Sequence, residues 1–151
     1  MWKSILQTTL FVGTLDILAA CLNAYLSAHV TPGKVLQYIA SGIFGDTAFS
    51  GGASMMLFGL LFHFVIAFAC TAVFYWLYPK IPFFKFSLTV NAILIAVVAW
   101  LVTTRLVIPM SRITPPPFDF VRASVSVFIL IVCIGIPIAY QSKRFYQEEK
   151  Q

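Results

Sequence analysis

The sequence predicts an all-α protein, a four-helix transmembrane bundle with a short interfacial or re-entrant helix between helices 1 and 2. Three observations carry this expectation. Hydrophobic residues make up 60% of the 151-residue chain and charged residues only 10%, where a soluble domain carries about 25% charged residues. Four apolar runs each reach the roughly 20 residues that a spanning helix needs. The runs are continuous, unlike the alternating strands of about 10 residues in a barrel, and a helix satisfies its own backbone polar groups in lipid. A soluble enzyme, a disordered chain and a compact nucleic-acid binder are excluded by this composition. No nucleic-acid partner and no cofactor are expected.

The chain reads as a single integral membrane domain, 1–151, with spans at about 5–28, 54–78, 88–110 and 123–140. The first run is followed by Thr31-Pro32-Gly33, the second by Pro79 and Pro82, and the third closes at Pro109. Pro115, Pro116 and Pro117 stiffen the connection to the fourth run, because consecutive prolines hold an extended backbone. Pro137 lies inside the fourth run and is expected to kink it or end its regular part. The Leu18-Ala19-Ala20-Cys21 stretch has the form of a lipoprotein processing box. Asp16 before it and the apolar residues after it favour an uncleaved span.

Between the first two spans, residues of about 33–45 form a largely apolar segment too short to cross a bilayer. At helical spacing Val35, Ile39, Gly42 and Ile43 share one face, and Leu36, Ala40 and Phe44 another. The segment fits an interfacial helix, capping the bundle or covering an outward cavity.

Four spans put both termini on one side. Lys3, Lys80, Lys85, Lys143, Arg144 and Lys150 then share a face, six bases against the four of Lys34, Arg105, Arg112 and Arg122. The excess predicts cytoplasmic termini. The net charge of +5 is read as topology signal and contact with lipid headgroups. Cys21, Cys70 and Cys133 lie in apolar runs without a CxxC pair and read as small packing residues. Gly13, Gly59 and Gly135 are placed to let helices approach closely. Trp2, Tyr75, Trp76, Tyr78, Tyr140, Phe145 and Tyr146 cluster at the inner ends as an aromatic belt.

Ionisable groups inside spans are costly, about 2.5–3.5 kcal/mol for Asp at a helix centre. Asp16 and His63 fall at similar depth in antiparallel spans and are expected to pair, as a structural lock or as a proton-titrating site. Asn23, two turns outward of Asp16, joins them as a candidate intramembrane polar site. Asn91 is expected to bond between helices. Asp46, Arg105 and Arg122 are candidate contacts at the outer interface, with Arg105 either snorkelling outward or pairing with Asp46 or Asp119. One Asp and one His fall short of the three or four ligands of a zinc site, so no metal is expected. No nucleophile, P-loop or dinucleotide motif is visible, and no catalytic residue is assigned.

Thr14-Leu15-Asp16-Ile17-Leu18-Ala19-Ala20, Tyr38-Ile39-Ala40-Ser41-Gly42-Ile43-Phe44-Gly45, Ala48-Phe49-Ser50-Gly51-Gly52, Gly59-Leu60-Leu61-Phe62-His63-Phe64 and Val132-Cys133-Ile134-Gly135-Ile136-Pro137-Ile138-Ala139 together carry a resemblance. Across nearly its whole length the chain resembles a family of small four-span bacterial inner-membrane proteins, a domain of unknown function. The resemblance implies the fold and a bacterial inner-membrane location. Thr104-Arg105 stands where such relatives carry a Met-Asn pair, and an apolar stretch where they carry a His in the fourth span.

The functional expectation is non-enzymatic binding of a lipid, a small apolar ligand or a membrane protein partner within the bilayer. The alternatives are a small oligomeric proton-linked transporter or channel using Asp16 and His63, and a lipid-modifying membrane enzyme. Membrane lipids and a second copy of the chain are the expected partners.

Overall fold

Helix start and stop signals divide the described residues into five main helices. The computed structural model describes residues 1–81, 84, 87–110, 112 and 117–148. Pro82, Lys85, Pro115, Pro116 and Lys150, used above as breakers and topology signals, lie outside the described residues. Helix α1 (Trp2–Ala28) ends where His29 adopts a left-handed conformation, φ 52°, returning its N–H to the Tyr25 carbonyl. Thr31 is extended and Pro32 opens α2 (Pro32–Phe44), the first-turn position where a missing N–H costs nothing. Gly45, at φ 63°, stops α2 and leads into a 3-10 turn, Gly45–Phe49. Helix α3 follows (Gly52–Leu77). Ser87 caps α4, accepting from the Val90 N–H. Asp119 caps α5 more tightly, accepting from Val121 at 2.8 Å and Arg122 at 3.1 Å.

The last two helices are not regular. Helix α4 runs Leu88–Leu101, continues as a π-helical segment Val102–Val107, and finishes at Ile108–Met110. Helix α5 runs Phe120–Leu130, then π-helical Ile131–Gly135, then Ile136–Glu148. Each widened turn sits just before a proline, Pro109 or Pro137. A proline ring collides with the carbonyl four residues back and cannot donate to it, and an extra residue in the turn relieves both problems. The third spanning helix is described as far as Met110, just past Pro109, and Pro137 marks the end of the irregular turn of the fourth without ending the helix.

Four of the helices are long and apolar enough to cross a membrane: Trp2–Ala28, Gly52–Leu77, Leu88–Arg105 and Phe120–Gln147. Among the described residues there is no strand. Leu10, Leu18 and Leu22 on α1, Leu57, Leu61 and Val65 on α3, Val98 and Leu101 on α4, and Phe128 and Val132 on α5 are all exposed on the outside of the bundle. A helix apolar on every side belongs in a core or a bilayer, and so apolar an exterior fits the second.

The spans pack in the order α3–α1–α5–α4, with α2 laid along α3. Thr8 of α1 meets Tyr75 of α3 and Gln141 of α5, so the first span's start lies beside the ends of the second and fourth. At this terminal end Val12, Phe74, Phe84, Ala92, Ile134 and Ile138 form one core that joins all four spans.

Glycine sets the closest approaches. A Cβ at Gly59 would collide with the Leu36 carbonyl of α2, and one at Gly135 with the Ala92 carbonyl of α4. At Gly13 it would meet the Phe64 ring at 2.6 Å. Small residues at contacts are the usual way for membrane helices to gain packing.

On α2 the face of Leu36, Ala40 and Phe44 turns inward as expected, with Ala40 fully buried, Leu36 against Gly59 and Phe44 beside Phe58 and Phe62, and the other expected face does not set the orientation. Ile43 is exposed, and the buried positions are Gln37, Ala40 and Ser41. Polar groups turn inward because lipid offers them no partner; Gln37 reaches the Phe49 carbonyl and Ser41 the Tyr38 carbonyl.

Gly59→Ala and Gly135→Ala should each cost about 1–3 kcal/mol by overpacking, lowering the melting temperature in detergent by several degrees at about 2–4 °C per kcal/mol. Gly33→Ala meets only the flexible end of Met56 and should leave the melting temperature nearly unchanged. Equal melting of all three variants contradicts the backbone contacts.

Candidate functional site

The buried stripe of α1 runs through Ile5, Thr8, Thr9, Val12, Gly13 and Ile17, and Asp16 borders it. That of α3 runs through Gly59, Ala67, Thr71, Phe74 and Tyr75, and His63 falls on it at helical spacing. Asp16 and His63 are both half-buried. The imidazole Nε2–H donates to the Gly13 carbonyl at 2.9 Å, since a carbonyl only accepts. Gly13 has no side chain, which lets the His63 ring reach the backbone while Phe64 packs beside it.

Asp16 lies one turn beyond Gly13. It stands within electrostatic reach of His63 and Cys70 on α3 and of Cys133 on α5. No ion pair or hydrogen bond joins its carboxyl to His63 among the described residues. The expected pairing is thus replaced by a bond from His63 to the backbone, with the carboxyl nearby. Asn23 is not drawn in: it is two turns, about 10 Å, further along α1, and its main-chain oxygen accepts from the Ser27 hydroxyl.

A second polar cluster, at the terminal end, was not singled out in the sequence. Thr8 is fully buried and donates to Gln141 Oε1 at 3.1 Å. A hydroxyl has one proton, so the 2.9 Å contact between Thr8 and Tyr75 is a bond donated by the Tyr75 hydroxyl. Tyr146 in turn donates to the Tyr75 carbonyl at 2.8 Å. The chain Tyr75 → Thr8 → Gln141 ties α3, α1 and α5. Asn91, expected to bridge helices, instead donates to the Phe84 carbonyl in the preceding turn. Thr9 Oγ1 and Asn91 Oδ1 are buried without a hydrogen-bond partner among the described residues.

The aromatic residues at this end divide. Trp2, Trp76 and Tyr140 are exposed, as a belt requires, with Lys80 over the Trp76 ring. Tyr75 and Tyr78 belong to the core, and Tyr78 stacks on Tyr146.

At the far end Asp46, Arg105 and Arg122 are exposed. Among the described residues the ion pair there is Arg122 with Asp119 at 3.8 Å. Asp119 caps α5 and does not pair with Arg105; neither does Asp46. The Arg112 N–H donates to the Gly42 carbonyl, joining the end of α2 to the chain after α4.

Two grooves open on the outside. One, of about 390 Å³, lies between α4 and α5 at the far end, walled by Trp100, Phe118, Phe120, Val127, Phe128 and Ile131. The other, of about 420 Å³, lies between α1 and α5 toward the terminal end, walled by Phe11, Ile136, Pro137, Tyr140, Gln141 and Arg144. Among the described residues no group of three or more His, Cys, Asp or Glu is placed to hold a metal. The cysteines are unpaired thiols, and His63 faces a carbonyl where a catalytic base would face a nucleophile.

No family model, curated protein or solved structure matches the chain.

His63→Ala should lower the melting temperature, since an interhelical hydrogen bond in a membrane protein is worth about 0.6 kcal/mol and up to about 1.7. Asp16→Asn removes a charge without breaking a bond, so its melting temperature should match or exceed that of the native chain. A loss in Asp16→Asn as large as in His63→Ala contradicts this geometry.

Proposed function

We propose that the protein is a non-enzymatic lipid-binding protein of the bacterial inner membrane, with both termini in the cytoplasm, which holds an acyl chain between α1 and α5. The groove of about 420 Å³ at that junction supports the reading. Phe11, Ile136 and Tyr140 on its walls are exposed to the surroundings of the bundle, so a chain enters from the bilayer without crossing water. Pro137 and the widened turn before it shape the wall, because they interrupt the regular surface of α5. From Ile136 to Arg144 the helix rises about 12 Å, which carries the groove from apolar walls to a polar mouth.

Purification in mild detergent followed by native mass spectrometry tests this. The native chain should carry one or two lipid masses that survive detergent exchange. Ile136→Trp, which fills the groove, should reduce lipid retention about threefold or more, equivalent to roughly 0.7 kcal/mol. Native protein free of lipid, or retention unchanged in the filled variant, overturns the proposal.

A further inference from the structure

Gly13 fixes which nitrogen of His63 can take up a proton. Nε2 donates its hydrogen to the Gly13 carbonyl at 2.9 Å. A carbonyl only accepts, so Nε2 keeps that hydrogen whether the ring is neutral or charged. Nδ1 is then the titrating atom, and it has no hydrogen-bond partner among the described residues. Asp16 stands one turn along α1 from Gly13, about 4.5 Å of rise, within electrostatic reach of the imidazole. Its carboxyl likewise has no hydrogen bond or ion pair among the described residues. Both residues are half-buried, so neither is sealed in the core. The surroundings add little charge. Helix α1 packs against α2, α3 and α5. Near Asp16, α3 adds Cys70 and α5 adds Cys133, both weak donors and acceptors. The titratable groups of α2, Lys34 and Tyr38, are exposed. Along the axes, Tyr75 is about 18 Å beyond His63 on α3, and Tyr140 and Arg122 are about 10 Å and about 16 Å from Cys133 on α5. On α1 itself Cys21 is about 8 Å further on.

We infer that Asp16 and His63 form an intramembrane proton-binding site, with one exchangeable proton shared between the Asp16 carboxyl and Nδ1 of His63. With the proton on Asp16, the pair is a carboxylic acid beside a neutral imidazole. Transfer breaks the Asp16 O–H bond, forms an Nδ1–H bond, and leaves carboxylate beside imidazolium. Both forms are neutral overall, as a span favours, because a net charge there is costly. Losing the proton leaves a net negative pair and gaining a second leaves a net positive one, so the two groups titrate as a unit. The Nε2–H bond to the Gly13 carbonyl survives every one of these states. The proton therefore comes and goes without unpinning α3 from α1. Ionisable groups inside spans mark proton relays, and here one ring nitrogen holds the helices while the other is kept for exchange. The site goes beyond lipid binding in the groove and does not depend on it.

The test is a pH titration of the full chain in phosphatidylcholine nanodiscs, with isotope-labelled imidazole nitrogens read by NMR. His29, exposed at the end of α1, is the internal control. In the native chain the Nδ1 resonance of His63 should follow two steps, separated by about one pH unit or more, as a coupled pair requires. Nε2 of His63 should stay protonated through both. Asp16→Asn should leave a single step at His63 and the His29 curve unchanged. The infrared carboxyl band that Asp16→Asn removes should, in the native chain, change at the same two steps. If Asp16→Asn does not fold, the native two-step curve and the Nε2 resonance decide alone. Fewer than two steps at His63 while the native chain stays folded, or a curve unmoved by Asp16→Asn, means that the two groups do not share a proton and overturns the inference. Loss of the Nε2 proton during the titration overturns it as well, because the Gly13 bond would then not select Nδ1.

Discussion

In a bilayer the hydrophobic effect gives helices no reason to leave lipid for one another, so association depends on close packing and on hydrogen bonds between spans. In this protein those contacts converge on α1. Thr8 takes a bond from Tyr75 of α3 and gives one to Gln141 of α5. Five residues on, Gly13 accepts from His63 of α3 and makes room for Phe64. The first span thus lies in the middle of the row α3–α1–α5–α4, and α4 is attached to it through α5 by the Gly135–Ala92 approach. Without the polar and glycine contacts of α1 there is little besides dispersion to choose this arrangement.

The groove follows from a local conflict in α5. Pro137 cannot take part in the helix ladder at Cys133, and the chain answers with a π-helical segment over Ile131–Gly135. The same segment contains Gly135, so one stretch serves two ends: it seats α5 on α4 from one side and shapes the wall facing α1 on the other. Gln141 joins the two levels of the structure, as a member of the buried bond chain and of the groove lining. What the groove offers a ligand is in this way fixed by what holds the helices together.

Run length and continuity made the four spans readable, and Gly13, Gly59, Gly135 and Pro137 were readable as packing and helix-disturbing positions from residue type alone. Which polar residues meet was not. On a helix that is apolar all round, periodicity does not mark the inward face, so nothing set Thr8 apart from Thr9, or Gln141 from the polar tail that follows it. Asp16 and His63 were legible as neighbours because charge in a span is rare, but their depth alone could not reveal that His63 reaches the Gly13 carbonyl. Helix α2 was half legible for a related reason: the Leu36, Ala40 and Phe44 face does pack on α3, but apolar residues mark the buried face in water, and here Gln37 and Ser41 are also inside and Ile43 outside.

The claim that α1 organises the bundle through directed hydrogen bonds is tested most directly by a double-mutant cycle between Thr8 and Tyr75. Thr8→Val, Tyr75→Phe and the pair would be unfolded reversibly in the same mixed micelles, and the coupling taken as the departure from additivity. A coupling of about 0.6–1.7 kcal/mol, the range of interhelical bonds measured in membrane proteins, is the predicted result. Strict additivity would contradict the account, because it would mean that the two hydroxyls meet without holding α1 to α3.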